Sequence, residues 1–208
     1  MSVALDPRWT PQRSARVGKD LAWSWLTLNR LPLPDELHLD RESAGKFLRK
    51  TWLGVHSSKR RRSRIAVAVD DCDFSGRFDT PNGVFIQAPG SFEDHSALGV
   101  LCHEVGHHVD YTLNPKAYSR SKVSGFADLI DCEAEISDEE YNIHESFAEA
   151  IRLFITNPDL LMRGRPARWE LLTRQLGLRP LHVKGWKVVL QKAPKYVHSA
   201  VEWWLQDA

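Results

Sequence analysis

Cysteine is scarce in this sequence: its 208 residues carry three, Cys72, Cys102 and Cys132. An odd, sparse set reads as free thiols in a reducing compartment rather than as a disulfide framework. Long apolar runs are missing as well. No stretch approaches the roughly 18 apolar residues that a membrane-spanning helix needs. The opening segment MSVALDPRWTPQRSARVGKD is broken by Pro7 and Pro11 and lacks the apolar centre of a secretory signal. A cytoplasmic location without membrane attachment is therefore expected, with export by a route lacking a cleaved signal left open. Neither sign of charge dominates. The net charge of +1 gives no global pull toward nucleic acid or a lipid surface. Repeats and low-complexity segments are absent too. What is present, 42% hydrophobic and 26% charged residues, suits a chain with one core of ordinary size.

Punctuation and periodicity divide the chain into an irregular arm over 1–17 and a single domain over 18–208. Leu21, Trp25 and Leu28 predict a helix from Gly18 to Asn29. Asp40 can cap a second helix through about Val55, with Phe47, Leu48, Trp52 and Leu53 on one stripe. Strands are predicted at Arg64 to Asp70 and at Gly83 to Ala88, separated by the turn Thr80-Pro-Asn-Gly83. A long helix starts near Asp94 to Ser96 and stops before Asn114-Pro115. Ser137-x-x-Glu140 resembles a capping box for a helix that Asn157-Pro158 ends. Residues 166–177 and 195–207 read as further helices. A mixed front half followed by a helical back half makes the class α+β.

The chemical signal is His103-Glu104-Val105-Gly106-His107. Two histidines at i and i+4 share a helix face, so both imidazoles can reach one metal. Glu104, one step round the helix, can touch a water at that metal and act as general base. The motif lies in the otherwise apolar LGVLCHEVGHHV, where buried histidines and a glutamate need partners. A catalytic zinc takes three protein ligands and keeps one position open. A metzincin pattern would place a third histidine where Leu113 stands. Cys72 is upstream, as in peptide deformylases, but DDCDF does not match their motif. Glu145-Ser-Phe-Ala-Glu149 is the best source: its two glutamates share a helix face, so one can bind metal while the other accepts a hydrogen bond from a ligand histidine.

HEVGHHVDY followed by ESFAEAIRLF resembles the zincin metallopeptidases of gluzincin type, and is most similar to the catalytic domain of anthrax lethal factor and the Pro-Pro endopeptidases. The resemblance covers roughly residues 64–157, about half the chain, and only the two motif helices are specific. It implies one Zn²⁺ held by His103, His107 and Glu145, with Glu149 behind them; the 38 residues from His107 to Glu145 are similar to that group. It also implies a zincin-like fold: a small mixed sheet, an edge strand beside the HExxH helix, and a helical C-terminal half. Val84, Phe85 and Ile86 would then form the edge strand that pairs with an extended substrate, a fully interior strand being the alternative. One position departs from the group. Its tyrosine two turns before the glutamate ligand is Asp138 here, which leaves Tyr141, one turn before Glu145, as the residue that could assist the oxyanion, with Tyr111 and Tyr118 weaker candidates.

Asp110 can orient His107 or be a surface residue at a helix end. His108, His144 and Cys102 point away from the metal face; the two histidines read as structural or surface residues and Cys102 as a buried thiol. The nine acidic residues between Asp128 and Glu149 could favour basic substrates, or form a solvated loop and helix start. Lys59-Arg-Arg-Arg62 with Arg64 could touch a polyanion, but the low net charge argues against nucleic acid. The C-terminal aromatics, which alternate with lysines, read as core packing before docking surface. The expected function is that of a monomeric zinc metalloendopeptidase, a hydrolase acting on peptide or protein substrates. The alternatives are a metal-binding partner-interaction protein on a zincin scaffold and a zinc amide hydrolase of non-peptide substrates.

Overall fold

A computed structural model of the chain describes residues 10–40, 42, 53–59, 62–72, 94–113, 133, 135–136 and 142–181. The first helix, α1, runs Pro11–Leu28. Its start corrects the expected arm, since residues 11–17 are helical. The local reason is clear: Thr10 is an N-cap whose hydroxyl accepts from the Arg13 N–H, and Pro11 stands in the first turn, where its missing N–H costs nothing. Its buried face carries Ala15, Gly18, Leu21, Ala22, Trp25 and Leu26.

Three strands follow: β1 (Glu36–His38), β2 (Gly54–Lys59) and β3 (Arg62–Val67). They form a mixed sheet of order β1-β3-β2, with β1 parallel and β2 antiparallel to β3. Only β3 was expected, and it is shifted: it begins at Arg62 and gives way to a 3₁₀ turn over Val69–Asp71. The helix expected through Val55 cannot extend that far, because Gly54 already opens β2; its earlier part lies outside the described residues. Arg64 stands opposite Glu36 in the β1–β3 register and donates Nε–H to Glu36 Oε2 at 2.5 Å. That bond holds the Glu36 carboxyl down at about 2. Two members of the basic run therefore face the same carboxylate, Arg64 closely and the largely exposed Arg62 at 3.8 Å from Glu36 Oε1.

The central helix, α2 (Ala97–Leu113), packs against α1, β2, β3 and the next helix, α3 (Ile143–Thr156). From Ser146 to Thr156 every α3 residue is buried. The α2–α3 crossing is close because residue 106 is glycine: a Cβ there would stand 2.6 Å from the Ala148 Cα. Short helices α4 (Pro158–Gly164) and α5 (Pro166–Glu170) and a π turn over Leu171–Gln175 complete the helical back half. Trp25, fully buried, meets Phe154 edge-on at 6.0 Å and donates Nε1–H to the Arg179 carbonyl, which ties the segment after the π turn to α1. The class is thus α+β, with five α-helices and one three-stranded sheet among the described residues. Among those residues no helix is long and apolar enough to cross a membrane. The strand expected over 83–88 and the helix over 195–207 lie outside the described residues.

Candidate metal centre

His103 and His107 project from one face of α2, their rings 4.8 Å apart and nearly perpendicular. Glu145 reaches them from the first turn of α3. That helix does not start at the expected Ser137 box, whose residues lie outside those described. Its N-cap is Asn142, whose side chain accepts from the N–H groups of His144 and Glu145. Asn142-x-x-Glu145 therefore fixes the backbone of the glutamate directly, and the helix N-terminus favours its negative charge.

Three atoms converge. His103 Nε2 lies 3.1 Å from His107 Nε2 and 3.0 Å from Glu145 Oε2, and His107 Nε2 lies 3.1 Å from the same oxygen. Behind them His103 Nδ1–H donates to Glu149 Oε1 at 2.7 Å. A neutral His103 with its proton on Nδ1 turns a bare Nε2 lone pair toward the cluster. Acceptors facing one another repel unless protons or a cation lie between them. With protons there, burial lowers the His103 pKa, but the bonds to Glu145 and Glu149 outweigh it and hold it well above 6.5. Burial likewise raises Glu145, and the two histidines more than reverse this, keeping its carboxyl below the usual range.

The donors also fit a metal. Tetrahedral zinc with N and O ligands at about 2.0–2.1 Å separates its ligands by roughly 3.3–3.4 Å, a few tenths more than the observed spacings. Imidazole and carboxylate are a common zinc donor set. The charges fit as well: Glu104, Glu145 and Glu149 against Arg152 leave two negative charges beside neutral imidazoles, which a divalent ion balances. The group His103, His107 and Glu145 can therefore hold a metal ion.

Glu104 is buried, and its charge acts on the His103 ring. It lies against the start of β2, where a Cβ at Gly54 would stand 2.6 Å from Glu104 Oε1 and 2.7 Å from Val100 Cγ1. Glu149 does more than face His103. Arg152 donates Nε–H toward both its oxygens at 3.0 Å and Nη2–H to Oε2 at 2.7 Å, with both residues almost fully buried. Burial raises the Glu149 pKa, but the guanidinium and His103 together keep it below the carboxylate range. Neither Arg152 nor Gly54 was singled out from the sequence. An arginine three residues after Glu149 in an otherwise apolar helix was the available signal, since a buried charge requires a partner.

The other candidates fall as follows. Asp110, weighed as an orienter of His107, has His144 Nδ1 at 3.2 Å, joining α2 to α3. His108 is structural, as expected. Its Nε2–H donates to the Pro32 carbonyl at 2.8 Å, so its Nδ1 accepts the Ser63 hydroxyl at 2.6 Å. Ser63 Oγ in turn accepts from His56 Nε2–H at 3.0 Å. The Tyr111 ring lies 6.1 Å from that of His56. Cys72 and Cys102 are buried thiols; Cys72 donates to the Ala68 carbonyl. Glu133, from the acidic segment, is used structurally: it accepts the Ala167 and Arg168 N–H groups at the start of α5. Tyr141, Tyr118, Val84, Phe85 and Ile86 lie outside the described residues. No protein-family model, curated protein or solved structure matches this chain.

Proposed function

We propose that the chain is a zinc-dependent metalloendopeptidase. The observation that carries this reading is the convergence of His103 Nε2, His107 Nε2 and Glu145 Oε2 within 3.1 Å of one another, with Glu104 buried beside them. A zinc ion held there supplies Lewis acidity, polarising a carbonyl and making water nucleophilic near neutral pH.

The protein's own part is positioning and proton transfer. Glu149 holds the His103 proton on Nδ1, so Nε2 keeps its lone pair toward the cluster. The Asn142 cap holds Glu145 at the helix start. Glu104 accepts a proton from the attacking water and returns it to the leaving nitrogen. Zinc held by these three residues would still have room for water or substrate, and a metal with a purely structural role needs no adjacent glutamate base. The resemblance of HEVGH and ESFAE to gluzincin motifs points the same way.

Glu104→Gln tests the assignment. The variant keeps the ligand atoms, so it should bind zinc with wild-type stoichiometry, while cleavage of a peptide library falls by about 10²–10⁴-fold. Chelator should abolish wild-type cleavage and zinc restore it. Undiminished cleavage by Glu104→Gln rejects the base, and cleavage indifferent to chelator rejects the metal.

A further inference from the structure

Arg152 lies in the fully buried stretch of α3, a position that normally excludes charge. Its guanidinium engages Glu149 with two donors of one edge: Nε is 3.0 Å from Oε1 and from Oε2, and Nη2 is 2.7 Å from Oε2. Oε1 also receives the His103 Nδ1–H, at 2.7 Å. One carboxylate therefore links the guanidinium to one imidazole of the cluster. A planar fork of this kind fixes the carboxylate plane, whereas a lone carboxylate can turn about its last bond. Once that plane is fixed, the direction from Oε1 to Nδ1 is fixed, and with it the tilt of the His103 ring toward Glu145 and His107.

We propose that Arg152 is a positioning residue for the metal: it acts through Glu149 to aim His103 Nε2 at the cation. The proposal rests on the zinc reading given above. Its physical content is a rigid three-member relay, guanidinium to carboxylate to imidazole, within which a buried charge is balanced without contacting the metal. A lysine at residue 152 would keep the charge and lose the planar two-donor grip.

The test uses the full chain as wild type, Arg152→Lys, Glu149→Gln and the double variant. Zinc affinity is read by competition with a chromophoric chelator, and ligand geometry by the visible spectrum of the cobalt-loaded protein. Arg152→Lys should weaken zinc binding about 10-fold or more, within the range typical of groups that orient ligands, and shift the cobalt bands. In the Glu149→Gln background the same change should cost less than about 3-fold, because Arg152 acts only through that carboxylate. A role confined to packing would lower the unfolding midpoint and leave affinity and spectrum alone; that result overturns the proposal. An equal loss of affinity in both backgrounds also overturns it, since Arg152 would then act by another route. A wild-type chain that takes up no zinc overturns the metal reading itself and this inference with it, so the two failures are distinguishable.

Discussion

Beside Glu104 there is no room for a side chain on β2. A methyl at residue 54 would press on both the carboxylate and Val100. On the proposed function, Gly54→Ala should therefore displace Glu104 without touching the His103, His107 and Glu145 side chains: turnover should fall about 10- to 100-fold while zinc content stays at the wild-type value, given how steeply rate depends on placement near 1 Å. Unchanged turnover would show that Glu104 has slack there. At the same scale, the two thiols among the described residues are shielded. Burial pushes Cys72 up to about 12 and Cys102 higher still. Peptide mapping after brief alkylation should find both unmodified in the native chain and both labelled in denaturant. The motif residues themselves were legible, because i and i+4 spacing is local. Gly54 was not: its constraint comes from a helix some fifty residues further along the chain.

Two helices make the candidate centre, and their separation is set by small residues and a cap. Gly106→Ala would drive a methyl into the Ala148 backbone. The expected cost is about 1–3 kcal/mol of unfolding free energy, with weaker zinc binding as α3 moves away. Asn142→Ala removes the acceptor for two N–H groups and should cost about 1 kcal/mol. Denaturant titration with and without zinc checks both. The elements differ in how clearly the sequence announced them. The α2 and α3 helices were readable from apolar periodicity and from proline stops. β1 was not, being three residues long. β2, GVHSSK, is mostly polar, and its pairing with β3 is what makes it a strand. The start of α3 was placed too early because two cap patterns stand close together, and Asn142 rather than Ser137 supplies the cap. The role of Arg152 is harder to read, because a charge three residues from a glutamate suits an exposed helix face as well as a buried pair until the helix is known to be buried throughout.

Across the whole molecule, α2 ties the sheet to the helical half, and acid should loosen that tie. Burial first, then the neighbouring His108 and His107, hold the His56 pKa down at about 3 against an unfolded value near 6.5. The unfolded chain then binds a proton that the folded chain refuses. The His56 contribution is fully present above pH 6.5 and is lost as pH falls from there toward 3, by about 2 kcal/mol on reaching pH 5. Unfolding midpoints of wild type and His56→Gln should converge as pH drops over that window; parallel curves would reject the assignment.

The chain Pro32 carbonyl, His108, Ser63, His56 has a further consequence. A carbonyl cannot donate, so each proton in the series points one way: His56 to Ser63, Ser63 to His108, His108 to Pro32. The order of tautomers is thereby set from one end, by a single backbone oxygen. In a ¹⁵N-resolved spectrum, His56 and His108 should each show a lone protonated Nε2 and an unprotonated Nδ1, with the His108 ring proton exchanging slowly with solvent.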